Sequence, residues 1–315
     1  MKKIFYSLIT IAFLLTSFIV VSCDDDATPS IYEVIEPVGQ LPVVMYFNFD
    51  EKTTGVPYAV TSNADNQVFV SVSGQGVKRI VKGATKDSLA SFAPKGAETF
   101  FNSMTYASNS KIYATRRVRG LVEVTENSAP VTFVASGQGI EDNLNDVEFD
   151  HFKNVLWSGG NTGVIYSITL EKSVKKFYEI SGNISTIKPT ENHLYVALRD
   201  TNDQELVWKF PIISSDSIGT GELFFNFTQA VDTLARIIDI AVAEDGEVYI
   251  FSNVQANAVT SVRSADAFEK AFSGLIAGPA YSFGWGGDNY GYFTSVISGI
   301  NSDVWRIDMK KNSAH

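Results

Sequence analysis

The sequence predicts an all-β fold, a six-bladed β-propeller of four-stranded blades whose last blade is closed by an N-terminal strand. Three observations predict it. A short apolar and aromatic strand recurs six times at spacings of about 39 to 54 residues, the range of propeller blades. No helical periodicity runs between Pro37 and Met309, which excludes folds built on crossover helices. The final copy holds only three strands, while an unassigned strand stands ahead of the first.

Taken in order, Met1-Lys2-Lys3, the apolar run Ile4 to Val21 and the small residue Ser22 are the parts of a secretory signal over residues 1–22. The apolar run is short and wrongly flanked for a membrane-spanning anchor. Residues 23–40 open with Cys23 and Asp24-Asp25-Asp26, carry Pro29 and Pro37, and read as an acidic tether. Residues 41–315 read as the ring. Val43 to Phe49 is the unassigned strand. The recurring second strands begin at Gln67, Lys111, Asn154, His193, Glu247 and Gly291. The third copy is the clearest, with strands Asn145 to Asp150, Asn154 to Gly159, Val164 to Thr169 and Val174 to Ile180. The last has Tyr281 to Trp285, Tyr290 to Val296 and Asp303 to Met309. Val43 to Phe49 is expected to become its outer strand, which removes an open sheet edge.

Composition narrows the partners. The chain of 315 residues has 25 basic and 35 acidic residues. Loss of the signal takes away Lys2 and Lys3 and leaves 23 basic residues against 35 acidic ones, a net charge of -12. Nucleic acid is excluded on that ground, because phosphate binding needs a basic footprint. The single cysteine, Cys23, has no disulfide partner within the chain.

Val20-Val21-Ser22-Cys23 resembles a bacterial lipoprotein box, with Val20 where that pattern prefers Leu. The resemblance implies cleavage before Cys23 and lipidation of its thiol, palmitate included, so that the protein is held to a membrane. The acidic run after Cys23 resembles the signal that sends some Gram-negative lipoproteins to the outer face of the outer membrane. Surface exposure on the outer membrane is therefore expected, with the periplasmic leaflet as the alternative.

Asn145-Asp146-Val147-Glu148-Phe149-Asp150, Leu156-Trp157 and Gly163-Val164-Ile165-Tyr166-Ser167-Ile168 resemble a blade of NHL and senescence-marker gluconolactonase propellers. That family holds a divalent metal at the channel mouth through one Glu, two Asn and one Asp near the starts of inner strands. Counting back from the second strands puts the matching positions at Tyr58, Asn102, Asn145, Ser185, Ile238 and Tyr281. Asn102 and Asn145 suit such a site, and Asp239 joins them if a bulge turns it inward. The acidic ligands are otherwise missing, and a hard cation wants carboxylate oxygen. No cofactor is expected, with a divalent cation such as calcium as the alternative.

Other chemistry is sparse. His151 and His193 fall on the face away from the mouth and His315 at the terminus, so no zinc cluster or Ser-His pair assembles. The segments Ser73-Gly74-Gln75-Gly76 and Ser136-Gly137-Gln138-Gly139 precede no helix and read as turns. Asp200 to Glu205 lacks the glycine and spacing of a calcium loop and reads as solvated.

The mouth loops carry Arg116, Arg117, Arg119, Arg199 and Arg236, with Glu141, Asp142 and Asn143. Guanidinium forks there suit a carboxylate or sulfate. Phe101, Tyr281 and Trp285 are placed near the same mouth, where they either stack on a sugar or, at the blade junctions, serve as core. Glu148 and Lys188, on neighbouring inner strands, are expected to pair or both to reach the channel, because an unpaired buried charge is costly. The sum favours a non-catalytic module binding a small molecule, a glycan or an envelope protein. The alternative is a metal-dependent hydrolase or lyase of the gluconolactonase type.

Overall fold

A computed structural model describes residues 43–49, 54–96, 101–116, 120–231, 234–254, 258–276, 279–287, 289–297 and 301–314. The signal, Cys23, the tether, Arg117, Arg119 and His315 lie outside the described residues.

The chain forms six antiparallel sheets in sequence, each a blade of a β-propeller. The first is β2 (Pro57–Ser62), β3 (Val68–Val72), β4 (Gly76–Val81) and β5 (Ser88–Ala93). The second is β6 (Met104–Tyr106), β7 (Ile112–Thr115), β8 (Gly120–Val124) and β9 (Val131–Ala135). The third is β10 (Leu144–Asp150), β11 (Val155–Gly160), β12 (Val164–Thr169) and β13 (Val174–Glu179). The fourth is β14 (Asn183–Pro189), β15 (His193–Arg199), β16 (Glu205–Ser214) and β18 (Glu222–Asn226), with the short β17 (Ser217–Ile218) folding back on the end of β16. The fifth is β19 (Ile237–Val242), β20 (Val248–Ser252), β21 (Val259–Ser264) and β22 (Ala267–Ala271).

The sixth blade closes the ring. Its strands β23 (Ala280–Trp285), β24 (Tyr290–Ile297) and β25 (Asn301–Asp308) are completed by β1 (Val43–Phe49), antiparallel to β25 with Val43 opposite Ile307 and Phe49 opposite Ser302. Tight turns set the spacing between first and second strands. Asn66, Ser110, Asn154, Gly246 and Asn289, each within two residues of a second strand, all have positive φ. Asn and Gly tolerate that conformation, which is why these turns are visible in the sequence as Asn, Asp and Gly clusters.

Six buried apolar clusters hold the ring, one at each junction between neighbouring blades. Trp157, Ile165, Ile184, Ile187 and Val196 fill the junction of the third and fourth blades. Phe47, Phe49, Val60, Val70, Tyr292 and Val304 seal the last blade to the first.

Lining the channel, a polar girdle repeats the same junctions in hydrogen bonds. The Val147 N–H donates to Ser103 Oγ at 3.2 Å, and the Ile187 N–H to Asp146 Oδ2 at 2.7 Å. Thr186 Oγ1 lies 2.9 Å from Asp239 Oδ1, and the Phe283 N–H donates to Asp239 Oδ2 at 2.7 Å. The Val60 N–H donates to Ser282 Oγ at 3.2 Å, and the Tyr106 N–H to Thr61 Oγ1 at 3.2 Å, which completes the circuit. At five of the six junctions one blade thus satisfies a backbone donor of the next, a group that would be costly to leave unpaired, and at the junction of the fourth and fifth blades two side chains meet. Below the girdle, Lys188 Nζ meets Glu148 Oε2 at 2.8 Å, the pairing their blade register predicts.

Candidate active site

Five of the six inner strands start with bulges. Register slips between Leu144 and Asp146, Ile184 and Thr186, Ile237 and Asp239, and Ala280 and Ser282 leave Asn145, Ser185, Ile238 and Tyr281 outside the ladder. A wider slip in the first blade, between Pro57 and Val60, does the same for Tyr58. A bulge re-aims the side chain it frees. These five residues and Asn102 line one cavity of about 410 Å³ at the front mouth of the channel, together with Asn183, Arg199, Glu205, Arg236 and Ile237. All six positions obtained by counting along the sequence therefore meet.

An amide cluster forms one wall. Asn145 Nδ2 lies 2.7 Å from Asn183 Oδ1 and 2.8 Å from the Ile184 carbonyl, and Asn183 Nδ2 donates to Asn161 Oδ1 at 3.1 Å. Opposite charges meet elsewhere in the same cavity. Glu205, the first residue of β16, is 1% exposed. Its Oε2 accepts the Ile237 N–H at 3.2 Å, while its Oε1 has no hydrogen-bond partner among the described residues and stands 3.6 Å from Arg236 Nε. Burial pushes the Glu205 carboxyl above the usual range, against the Ile237 N–H and the charges of Arg236 and Arg199. Arg199 closes β15, reaches Asp203 at 2.8 Å through one terminal nitrogen, and keeps a buried Nε with no hydrogen bond among the described residues.

Several expected mouth residues are elsewhere. Trp285 lines a second cavity of about 500 Å³ at the back end of the channel, with Ser62, Tyr106, Glu148 and His151. Tyr281 and Trp285 stand near opposite ends of β23, and four residues of strand span about 13 Å, so the two cannot share one mouth. Phe101 is core, packed with Met104 and Phe69. Arg116 donates to Thr132 Oγ1 at 3.2 Å, and Asn143 is exposed in the loop before β10; neither lines the front cavity. Glu141 pairs with Lys176 at 2.7 Å on the surface, and Asp142 accepts the Thr162 N–H and hydroxyl.

Glu205 is the residue that sequence reasoning misses, because it ends a segment that reads as a solvated loop. The loop itself is solvated: Asp200 Oδ1 accepts the N–H groups of Asn202 and Gln204. That turn delivers Glu205 inward at the start of a third strand, whereas the expected acidic ligands fall on first strands. Its one sequence signal is the apolar run Leu206-Val207-Trp208 directly after it.

Asp239 is not free to hold a divalent cation at this mouth. Asp239 is turned inward by the bulge, but both its oxygens are bound within the girdle, to Thr186, Ile240 N and Phe283 N. Of the counted positions only Asn102 and Asn145 offer amide oxygen, and two guanidinium groups at the same cavity repel a cation.

No protein-family model matches the chain, and no curated protein matches its sequence. Solved structures share the ring. A gluconolactonase from Xanthomonas campestris matches with a TM-score of 0.60 at 9% identity, over 87% of this chain and 93% of that one. A putative oxidoreductase (glucose dehydrogenase) from Thermus thermophilus matches with a TM-score of 0.60 at 13% identity, over 85% and 99%. A Trichoderma reesei protein of carbohydrate-active enzyme family AA12 matches with a TM-score of 0.57 at 10% identity, over 88% and 98%. Identities this low carry the fold. The expectation of a non-catalytic module is nevertheless corrected: these three similar rings are described as enzymes, one of them putatively, and this mouth contains a carboxylate that counting along first strands does not find.

Proposed function

We propose that the protein is an enzyme of the gluconolactonase type, a hydrolase or lyase acting on a sugar-derived substrate at the front mouth. The observation that carries the reading is Glu205, a buried carboxylate with one oxygen free of hydrogen bonds among the described residues, facing Arg236 in the cavity built by the inner-strand bulges. In lactone hydrolysis Glu205 takes a proton from the attacking water, and the Arg236 guanidinium steadies the negative charge that develops on the carbonyl oxygen. The ring C–O bond opens to a carboxylate and a hydroxyl. In an elimination the same base takes a proton next to a carboxyl group, and the guanidinium steadies the enolate. Asn102 and Ser185 offer hydrogen bonds to sugar hydroxyls.

The test is turnover by the mature domain of a panel of sugar lactones, followed by acid release, and of sugar acids, followed by absorbance of an unsaturated product. Turnover in one arm is expected, and inactivity across both defeats the reading.

The same proposal places the enzyme at the cell envelope, tethered by lipid on Cys23 and exposed on the outer membrane, supported by the signal over residues 1–22 and the acidic run after Cys23. Labelling cells with an alkyne palmitate analogue is expected to mark the chain and not the C23A variant. Protease added to intact cells is expected to reach it; full protection puts it on the periplasmic leaflet.

A further inference from the structure

Resting on that reading of the mouth, we infer that the substrate is an acidic glycan: a sugar bearing a carboxylate seats against Arg199 and Arg236, and a neutral sugar unit extends from it across the junction of the third and fourth blades.

Three observations carry this. Arg199 and Arg236 line the same cavity, and each is about one-third exposed, at 35% and 33%. Arg199 Nε is enclosed by protein with no hydrogen-bond partner among the described residues and one terminal nitrogen is held by Asp203, so a ligand meets this guanidinium through its charge and its other terminal nitrogen. A carboxylate makes a charge-assisted hydrogen bond to a guanidinium, roughly twice as strong as the neutral one a sugar hydroxyl makes.

The third observation is a flanking cavity of about 470 Å³ that shares Arg199 and Asn183 with the mouth. Its other walls include Asn161, Thr162, Ser181, Asp200 and Asp203, and Glu179 stands at its edge. Amides, hydroxyls and carboxylates of this kind accept from and donate to sugar hydroxyls, and the three acids repel a second anionic unit. The mouth therefore carries positive charge and its extension negative charge, which gives the ligand a direction.

The experiment is calorimetric titration of the mature domain with glucose, glucuronate, a glucuronate linked to a neutral sugar, and a di-uronate, each with and without EDTA. Glucuronate is expected to bind and glucose not to. The mixed disaccharide is expected to bind at least tenfold tighter than glucuronate, and the di-uronate more weakly than the mixed disaccharide. R199Q and R236Q are expected to weaken glucuronate at least tenfold, with R199K and R236K intermediate and each variant still showing a cooperative melt. Equal binding of glucose, no binding of glucuronate, or binding lost to EDTA and restored by calcium overturns the inference. Binding is read without turnover, so inactivity in the lactone and sugar-acid panel leaves this result standing, and turnover of neutral lactones without uronate binding removes this inference while sparing the enzyme.

Discussion

Lys188 Nζ lies 2.8 Å from Glu148 Oε2 inside the ring, and Asp239 Oδ1 is 3.7 Å from the same ammonium. Just above, the Thr186 hydroxyl stands 2.8 Å from Asp146 Oδ2 and 2.9 Å from Asp239 Oδ1. Three carboxylates thus share one lysine, and a hydroxyl with a single proton bridges two of them. Burial raises the Asp239 carboxyl against the charge of Lys188. Burial also pushes Glu148 up to about 8, against the same ammonium. Burial alone would lower Lys188, but the charges of Asp239, Glu148 and Asp146 outweigh it and raise the ammonium, which stays charged.

A pH dependence of stability follows. Glu148 holds its proton in the folded state to about 8, whereas an unfolded glutamate loses it near its ordinary value of 4.5. The folded state binds more protons between those values, so this contribution is complete below about 4.5 and fades as pH rises through about 8. Urea unfolding across that window is expected to show falling stability in the parent domain and a flatter profile in E148Q.

Removing the lysine is the harsher change. K188M strips the ammonium from the buried cluster, and breaking such a pair typically destabilises by about 3–5 kcal/mol. The double variant E148Q/K188M is expected to recover part of that loss. A K188M domain as stable as the parent in urea contradicts the pairing.

At the mouth, E205Q is expected to lower turnover by about 100- to 10,000-fold, the usual span for a lost general base, with no drop in melting temperature. Because burial raises the Glu205 carboxyl, the acid limb of the rate profile is expected above the ordinary carboxylate range. An acid limb at the ordinary carboxylate value, or an active E205Q, assigns the base elsewhere.

Closure of the ring has its own titrating group. Asn48 Nδ2 on β1 donates to Asp303 Oδ1 on β25 at 2.9 Å, and burial pushes Asp303 up to about 6 against that hydrogen bond. N48V leaves the carboxyl without this donor, a loss of about 1–3 kcal/mol. The loss is expected to be larger about two pH units above that value, where Asp303 is ionised, than one unit below it. Equal losses at the two pH values reject the assignment.

The strands are legible because each pairs an apolar or aromatic run with an Asn, Asp or Gly turn, and the turn residues do adopt positive φ. The β1 closure is legible from a missing fourth strand. The mouth positions are legible by counting, since each bulge falls at the same place in its blade. Glu205 is hidden because its function comes from where a third strand starts, which no period within one blade reveals. Trp285 is misplaced for a metric reason, the length of β23, and Asp239 because a bulge decides which way one residue faces while the girdle decides what binds it.

The strand made first is also the strand that waits longest. Asn48 and its partner Asp303 are separated by 255 positions. At a synthesis rate of about 5–20 residues per second, β1 spends roughly 10–50 s without its neighbour. Through that interval Val43-Val44-Met45-Tyr46-Phe47 is an unpaired apolar segment, able to adhere to any open edge it meets. Ring completion therefore has to wait for the sixth blade, and until then this segment must be kept from other strands.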